Sequence, residues 1–423
     1  MRAWIFVLFA FLGSTGWSQD ITYARDILDK LTSPGMHGRG YYKKGDKKAA
    51  RFIKREFRKN GIHAFEGNYF QKFDLPINTI RGRVELTINN RKLDPGQDFL
   101  IAAFSPGMHR TFTPLWLTGD SLDAASAEHL HEKYDLSERI IITGSHHKKL
   151  TRGNYLNAHA IILKDEEEPL WWHVSNGREQ ADHVVIDLKK DALPEGGVES
   201  VEVRYRSRYI EKYRTQNVIG FIKGHAEPDS FLVFTAHYDH LGRMGKETYF
   251  PGANDNASGT AMVMDLARFF GEPGNAPAYS VAFMLFAGEE AGLEGSRYCA
   301  DNPPFPLSRI KFLINLDMIG TGSEGITVVN GTVFKKAFGC LQRINKDKGY
   351  LAEVKVRDES CNSDHCPFYQ KGVPSVFIYT RGKEYSEYHT ITDMAEDLPL
   401  TGYEDLFGLL VDFVHSFAEG RKK

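Results

Sequence analysis

The second half of the chain alternates short apolar runs with amphipathic segments, and this alternation restricts the fold more than any other feature of the sequence. The segment from Gly259 to Phe270 carries apolar residues at helical spacing, whereas the apolar runs around it are short and rich in β-branched and aromatic residues. Strands that alternate with helices predict an α/β fold, with a mostly parallel mixed sheet sandwiched by helices. The predicted strands are residues 217–222, 231–236, 279–286, 310–316, 325–329 and 375–379.

The first half of the chain has a different pattern of apolar and polar residues. Residues 23–31 and 47–58 predict two amphipathic helices. Residues 80–200 consist of short β-like runs separated by polar turns. We therefore predict four parts: a signal peptide (1–18), a helical N-terminal part of the catalytic domain (19–80), an inserted β-rich accessory domain (81–200) and the main catalytic part (201–423).

For three polar or aromatic clusters in the first half, we prefer a structural interpretation over a role in ligand binding. The loop at 34–40, Pro-Gly-Met-His-Gly-Arg-Gly, could cradle a phosphate, but no strand precedes it, so we predict a surface connection. The run His-His-Lys-Lys at 146–149 could bind a ligand, but we prefer to interpret it as a solvated charge run. Trp-Trp-His at 171–173 could also bind a ligand, but we prefer to interpret it as a half-buried aromatic edge.

The N-terminus predicts export. Arg2 is followed by an apolar run over residues 3–12 and by a small-x-small pattern ending at Ser18, as in signal peptides that are cleaved. The run is shorter than a spanning helix, which argues against the alternative of a retained anchor. We therefore expect a periplasmic or secreted protein. A net charge of -2 gives no reason to expect nucleic acid or a membrane surface as a partner.

The four cysteines are too few for a disulfide scaffold in a chain of 423 residues. Cys361 and Cys366 are close enough in sequence for a local disulfide if the loop brings their Cβ atoms together. The alternative of a cysteine metal site is less favoured, because the chain lacks paired C-x-x-C motifs.

Charged or imidazole residues follow four of the predicted strands. Because ligands collect at the carboxyl edge of parallel strands, these residues should crowd one edge of the sheet. Grouping buried carboxylates and imidazoles is electrostatically costly unless a cation neutralises them, and mixed nitrogen and oxygen ligands suit zinc. The four clusters are His237-Tyr-Asp-His240, Gly288-Glu-Glu-Ala291, Asp317-Met-Ile-Gly320 and Tyr388-His-Thr390.

The spacing within these clusters suggests individual roles. Asp239 lies two residues after His237, so its carboxylate could hold the imidazole from behind. Asp255 precedes a predicted helix; alone it would be interpreted as a helix cap, but beside the other clusters it becomes a ligand able to bridge two cations. Glu289 and Glu290 point in different directions, so one can bind metal while the other handles a proton.

Six motifs, in this order, resemble the co-catalytic zinc aminopeptidases related to bacterial leucyl aminopeptidases, whose distant relatives include glutamate carboxypeptidase, glutaminyl cyclase and transferrin receptor. The resemblance spans residues 217–415, and Gly38-Arg-Gly40, residues 49–53 and Gly61 resemble the leader segment of that family. The motifs are His237-Tyr-Asp239, Asn254-Asp-Asn-Ala-Ser-Gly-Thr260, Gly288-Glu-Glu-Ala-Gly-Leu-x-Gly-Ser296, Asn315-Leu-Asp-Met-Ile-Gly320, Ser363-Asp-His365 and Tyr388-His-Thr390.

The resemblance implies a zinc exopeptidase fold with two zinc ions per chain. His237 and Asp317 would complete one zinc site, Glu290 and His389 the other, and Asp255 would bridge both. Glu289 would be the general base and Tyr388 a donor to the oxyanion. Asp364 and His365 would lie near the site without binding metal, in the same outer position as Asp239.

Two further expectations come from the same resemblance. The peptide bond from Asp255 to Asn256 would be cis. The middle region resembles a degenerate protease-associated domain, to which we assign no role beyond shaping the substrate cleft. The implied substrates are peptides with a free N-terminus.

Three alternatives remain open. A glutaminyl cyclase would keep one zinc, but all five ligand positions are filled in this chain. A binding protein without catalysis would have lost ligands or the base, and none is missing. A carboxypeptidase acting on acidic peptides would need basic residues to clamp a carboxylate, for which Arg357, Arg381 and Lys383 are candidates. Side-chain preference and oligomeric state do not follow from the sequence.

Overall fold

The fold was analysed in a computed structural model of the chain. The structure describes residues 21–117, 130, 132–144, 154, 157–165, 169–175 and 180–419. The predicted signal peptide and the cluster at 146–149 lie outside these residues. Within the described residues, no helix combines the length and the apolar character needed to cross a bilayer.

Fourteen strands among the described residues join in one mixed sheet, and two short strands, β10 and β11, form a separate ribbon. The strands are β1 (Phe70–Ile88), β2 (Arg91–Leu93), β3 (Phe99–Ile101), β4 (Met108–Trp116), β5 (Arg139–Gly144), β6 (Ala160–Asp165), β7 (Val184–Lys189), β8 (Val201–Ile222), β9 (Glu227–His237), β10 (Gly242–Met244), β11 (Thr248–Phe250), β12 (Tyr279–Phe286), β13 (Ile310–Leu316), β14 (Gly325–Val329), β15 (Val354–Val356) and β16 (Ser375–Arg381).

The centre of the sheet is parallel, as predicted. Strand β9 pairs in parallel with β12 on one side and with β13 on the other, and β13 pairs in parallel with β16. Strands β8 and β14 flank this core in antiparallel orientation. The carboxyl ends of β9, β12, β13 and β16 therefore lie at one edge of the sheet, where the predicted site residues follow them.

Helices cover both faces of the sheet. Strand β12 shows this directly, because Val281, Phe283 and Leu285 pack into one core while Ala282 and Met284 pack into the opposite one. A strand buried on both faces reads as a continuous apolar run, which explains why its bounds could be predicted. The helices are α1 (Ile21–Thr32), α2 (Gly45–Lys59), α3 (Gly259–Gly271), α4 (Glu294–Asp301), α5 (Lys335–Lys348), α6 (His365–Gln370) and α7 (Tyr403–Glu419).

Two long strands connect the accessory insert to the rest of the sheet. Strand β1 pairs with β8 from the Phe70–Val218 pair to the Ile88–Val201 pair, with two register shifts between them. The insert strands β4, β5, β6, β7 and β3 follow in order on the far side of β8. The predicted boundary at residue 80 thus falls inside β1, and the boundary at residue 200 falls directly before β8.

The glycine-rich loop at 34–40 contradicts the prediction of a surface connection. Gly38, Arg39 and Gly40 are buried against the β10–β11 ribbon. A Cβ atom on Gly38 would lie 2.4 Å from the carbonyl oxygens of Gly242 and Phe250, and the residue has φ +60°. Only glycine permits this close approach, so the glycines here serve packing and not anion binding.

The two cysteines in the loop before α6 form the disulfide that the sequence left open. Cys361 and Cys366 are bonded, with their Cα atoms 4.9 Å apart. Cys299 is buried and Cys340 is partly buried, and both are free thiols.

Candidate metal centre

The predicted ligands converge at the carboxyl edge of the sheet. His237 is the last residue of β9, Asp317 directly follows β13, and Glu290 follows β12 by a short turn. His389 comes from the segment after β16, and Asp255 precedes α3. All five side chains are buried or nearly so.

Asp255 lies at the centre of the group. Its Oδ1 is 3.3 Å from His237 Nε2, and its Oδ2 is 3.0 Å from His389 Nε2. His237 Nε2 also lies 3.4 Å from Asp317 Oδ1, and His389 Nε2 lies 3.4 Å from Glu290 Oε2. The five side chains thus form two sets of three, which share the Asp255 carboxylate.

These distances fit two zinc ions. Ligands about 2.1 Å from a tetrahedral zinc are separated from one another by roughly 3.4 Å, which is close to the separations within each set. Atoms of His237, Asp255 and Glu290 all lie within 4.8 Å of one another. Imidazole nitrogen with carboxylate oxygen is also a donor set that zinc accepts.

Glu289 and Glu290 are adjacent but have different surroundings. Glu290 is turned toward two imidazoles, with Oε1 2.7 Å from His240 Nδ1 and Oε2 3.4 Å from His389 Nε2. Glu289 is half-buried, and its Oε2 lies 4.0 Å from His237 Nε2. Glu289 is therefore placed beside the two sets while its carboxylate stays outside both.

The electrostatics of the centre call for positive charge. Burial works against charge on His237, but the carboxylates of Asp317 and Glu289 hold the pKa of the imidazole well above its usual range. Burial also opposes charge on His389, yet Glu290 and Asp255 raise its pKa to about 11. The carboxylates around both imidazoles thus favour positive charge at this position, which a metal ion would supply.

The surroundings shift the pKa values of Asp255 and Glu289 in opposite directions. Burial disfavours the charge on Asp255, but His237 and His389 hold its pKa well below the usual range. Burial raises the pKa of Glu289 well above the usual range, with the charges of Asp364 and Glu290 adding to the effect and His237 opposing it. Of the two, Glu289 is thus the carboxylate that holds a proton more readily.

Asp239 supports the centre differently from the prediction. Its carboxylate lies 3.8 Å from His237 Nδ1, beyond hydrogen-bond distance, and its backbone carbonyl oxygen lies closer, at 3.2 Å. The carboxylate instead accepts hydrogen bonds from the Tyr41 hydroxyl (2.9 Å) and from the backbone N–H of Glu289 (3.3 Å). Asp239 therefore links the leader segment to the turn that carries Glu289.

The segment before α6 supports Asp317. The Ser363 hydroxyl donates to Asp317 Oδ2 at 2.6 Å and itself accepts from the Asn315 amide. Asp364 is fully buried, and burial raises its pKa to about 7 although the charge of His237 opposes the shift. His365 Nε2 lies 2.8 Å from the Ser360 carbonyl oxygen. Asp364 and His365 thus lie close to the centre but outside the two sets.

The loop that carries Asp255 is fixed from two sides. The Asp393 carboxylate accepts from the backbone N–H groups of Asn254 and Asp255, at 2.9 and 3.2 Å. On the other side the Arg39 guanidinium donates to carbonyl oxygens of the same loop, including that of Gly252 at 2.7 Å. The Asp255–Asn256 peptide bond is cis, as the resemblance implied.

Tyr388 packs beside His389. The two rings are stacked with centroids 3.9 Å apart, and the Trp171 ring meets Tyr388 edge-on at 5.8 Å. Tyr388 is half-buried at the rim of the centre.

Sequence reasoning missed four residues that contact the centre or its supports. They are Arg39, Tyr41, His173 and His240. The interpretation of residues 171–173 as a half-buried edge was wrong in this respect, because His173 Nδ1 lies 3.2 Å from His389 Nδ1. A signal existed for two of the four, since Arg39 lies in the Gly-Arg-Gly motif and His240 ends the His-Tyr-Asp-His cluster. His173 was singled out only as part of the Trp-Trp-His cluster, and Tyr41 lay in no motif.

Comparison with known proteins agrees with this geometry. Residues 217–414 match Peptidase family M28. The chain is 27% identical over 375 residues to Aminopeptidase YwaD of Bacillus subtilis, covering 84% of this chain and 76% of the relative. It is 39% identical over 123 residues to a probable zinc metalloprotease of Pyricularia oryzae, covering 28% of this chain and 24% of that protein.

Solved structures share the fold over most of the chain. The zinc aminopeptidase BSAP of Bacillus subtilis superposes with a TM-score of 0.70 at 20% identity, covering 93% of this chain and 94% of that one. A peptidase M28 precursor of Shewanella amazonensis gives 0.68 at 16% identity, covering 93% and 92%. The predicted fold and the predicted class, a metallopeptidase, are thereby confirmed. The segment that matches Peptidase family M28, residues 217–414, contains all five of the converging His, Asp and Glu side chains.

Proposed function

We propose that the chain is an aminopeptidase that binds two zinc ions and hydrolyses peptides from a free N-terminus. The observation that carries the proposal is the position of Asp255, whose two oxygens each face a different histidine, while each histidine also lies beside a further carboxylate. His237 and Asp317 would hold one ion, and His389 and Glu290 the other. Bound zinc would supply a water of lowered pKa and would polarise the substrate carbonyl.

The remaining chemistry belongs to residues that stay outside the two metal sets. Glu289 would accept the proton of the attacking water and pass it to the leaving amine. Its carboxylate stands next to the ligands without joining them, which suits that role. The Tyr388 hydroxyl would donate a hydrogen bond to the developing oxyanion.

The surroundings favour aminopeptidase over carboxypeptidase activity. A carboxypeptidase needs free basic residues to clamp the substrate carboxylate. The Arg381 guanidinium is already engaged, 2.6 Å from a Glu353 oxygen and 3.4 Å from a Glu324 oxygen. The abundant carboxylates around the metal sets suit a cationic substrate terminus instead. The aminopeptidases named above, both of Bacillus subtilis, support the same substrate class.

We also propose that the chain is exported. The apolar N-terminal run with its small-x-small ending is typical of a cleaved signal peptide. The Cys361–Cys366 disulfide agrees with an oxidising compartment. Cell fractionation would test this, and a full-length chain in the cytoplasm would contradict it.

The test of the proposed reaction combines activity with metal content. The mature chain would be assayed with aminoacyl chromogenic amides and their N-acetylated analogues, beside Glu289→Gln and a control, Glu211→Gln, which changes an exposed carboxylate on β8. We expect hydrolysis of the free-amine substrates alone and about two zinc ions in every protein. The Glu289→Gln variant should lose at least about 100-fold in kcat, because it removes the general base.

The other outcomes refute specific parts of the proposal. Equal hydrolysis of the acetylated substrates would refute the requirement for a free N-terminus. A single bound zinc with cyclisation of N-terminal glutamine would identify the cyclase alternative. Full activity of Glu289→Gln would refute the assignment of the base.

A further inference from the structure

A short extended segment of the accessory insert lies against the loop that carries His389. The backbone N–H of Trp172 donates to the His389 carbonyl oxygen at 3.1 Å. The indole N–H of Trp172 donates to the Ile101 carbonyl oxygen at 2.7 Å, and its ring stacks on Phe250 with centroids 4.7 Å apart. Trp172 thus fixes the segment to the insert and to the metal centre together.

Burial alternates along this segment. Trp172 and Val174 are buried, whereas Trp171 and His173 are exposed. Such alternation is expected of extended backbone, where successive side chains point to opposite sides. Because Trp172 is anchored, its two neighbours are directed to the rim of the metal centre, where Trp171 meets Tyr388 and His173 meets His389.

The geometry determines which of His173 and His389 donates the hydrogen bond between them. His389 Nε2 faces Asp255 and Glu290, so Nε2 is the nitrogen available to a metal. With Nε2 bound, the ring proton of a neutral imidazole resides on Nδ1. That Nδ1 lies 3.2 Å from His173 Nδ1, so His389 can donate and His173 can accept.

We propose that His173 is a positioning residue of the metal centre, which accepts a hydrogen bond from His389 Nδ1 and so fixes the ring for metal binding. This inference rests on the proposed two-zinc function. Metal-binding histidines usually donate their second ring N–H to an outer partner, which fixes the tautomer and the ring orientation. Here the partner is supplied by the accessory insert, so the insert contributes to metal affinity and not to cleft shape alone.

The two metal sites should depend on the insert unequally. His237 Nδ1 lies 3.2 Å from the carbonyl oxygen of Asp239, a residue of the catalytic domain. His389 depends on His173 instead. Loss of His173 should therefore weaken the site of His389 and Glu290 and spare the site of His237 and Asp317.

The test uses two substitutions of His173 and one control. His173→Leu removes the acceptor, whereas His173→Asn offers a carbonyl oxygen near the position of Nδ1. His109→Leu changes an exposed histidine on β4 of the same insert. Zinc affinity would be measured by competition with a chelator, the cobalt-substituted proteins would be compared by visible absorption, and urea unfolding of the metal-free proteins would report on folding.

We expect His173→Leu to weaken one of the two zinc sites by about 10- to 100-fold, with a changed spectrum for cobalt at that site. His173→Asn should recover most of the affinity, and His109→Leu should resemble the wild type. Unchanged affinity in His173→Leu, with two zinc ions bound to the wild type, would overturn this inference and leave the proposed function intact. Equal weakening of both sites with loss of stability would show a merely structural role. A wild-type chain that bound fewer than two zinc ions would refute the proposed function and this inference with it.

Discussion

Replacing Arg39 by methionine should destabilise the fold and loosen the metal centre together. The side chain is fully buried, and burial lowers its pKa to about 10 although nearby carboxylates, Asp255 first among them, oppose the shift. Its guanidinium donates to five carbonyl oxygens. These belong to Tyr238 (2.8 Å), Leu31 (3.3 Å), Pro251 (2.5 Å), Gly252 (2.7 Å) and Asp255 (3.3 Å).

The magnitude follows from the three short contacts. A hydrogen bond from a charged donor contributes about 1.5 to 3 kcal/mol, so three of them amount to roughly 5 to 9 kcal/mol before the desolvation of the guanidinium is subtracted. Methionine fills a similar volume but leaves these buried carbonyl oxygens without a donor. We expect Arg39→Met to lower the free energy of unfolding by about 3 to 5 kcal/mol, because desolvation of the guanidinium offsets part of that sum.

The measurement is equilibrium urea unfolding of the metal-free protein, followed by tryptophan fluorescence. Arg39→Lys keeps the charge but has only three donors in a different geometry, so its loss should be smaller. Arg51→Met, at an exposed position on α2, serves as the control. Because the Pro251, Gly252 and Asp255 carbonyls belong to the loop of the shared ligand, Arg39→Met should also weaken both zinc sites. A stability within about 1 kcal/mol of the wild type would refute this account of Arg39.

Two further predictions concern other buried groups. Ser363→Ala removes the donor to Asp317 Oδ2, so zinc should bind about tenfold more weakly at the site of His237 and Asp317, and chelator competition that shows the other site weakened would contradict this. Burial raises the pKa of Asp46 from 3.8 to about 6 despite its hydrogen bonds, so its contribution to stability is present below about pH 4 and is lost as pH rises through 6. Urea unfolding at pH 4 and pH 7 should therefore show a loss that is larger in the wild type than in Asp46→Asn by up to about 3 kcal/mol, and an equal loss in both proteins would contradict it.

The sequence predicted the central sheet and the convergence of the candidate metal ligands because both follow from local pattern. Strand β12 was predicted with the bounds that it has, since a run buried on both faces is uniformly apolar. The candidate ligands His237 and Asp317 come together because each lies at the end of a parallel strand, and parallel strands end at the same edge. These inferences needed no knowledge of distant contacts.

The outer supports could not be predicted because their partners lie far away in sequence. Arg39 bonds the Tyr238 carbonyl across 199 positions, and His173 meets His389 across 216. The sequence alone does not distinguish a buried arginine from an exposed one. Hydrophobic periodicity also gives no sign of a side chain whose partner belongs to another part of the chain. The glycines around Arg39 were misjudged for the same reason, since the backbone that crowds them comes from residues 242 and 250.

The contacts of the leader segment also determine when, during synthesis, a working centre can exist. Tyr41 contacts Asp239, which lies 198 positions later in the sequence. The metal centre is complete only after His389 has also been synthesised. Such long separations delay the closing contacts until most of the chain is available. A growing chain therefore carries α1, α2 and the insert well before His389, the last of the five predicted ligands, has been added.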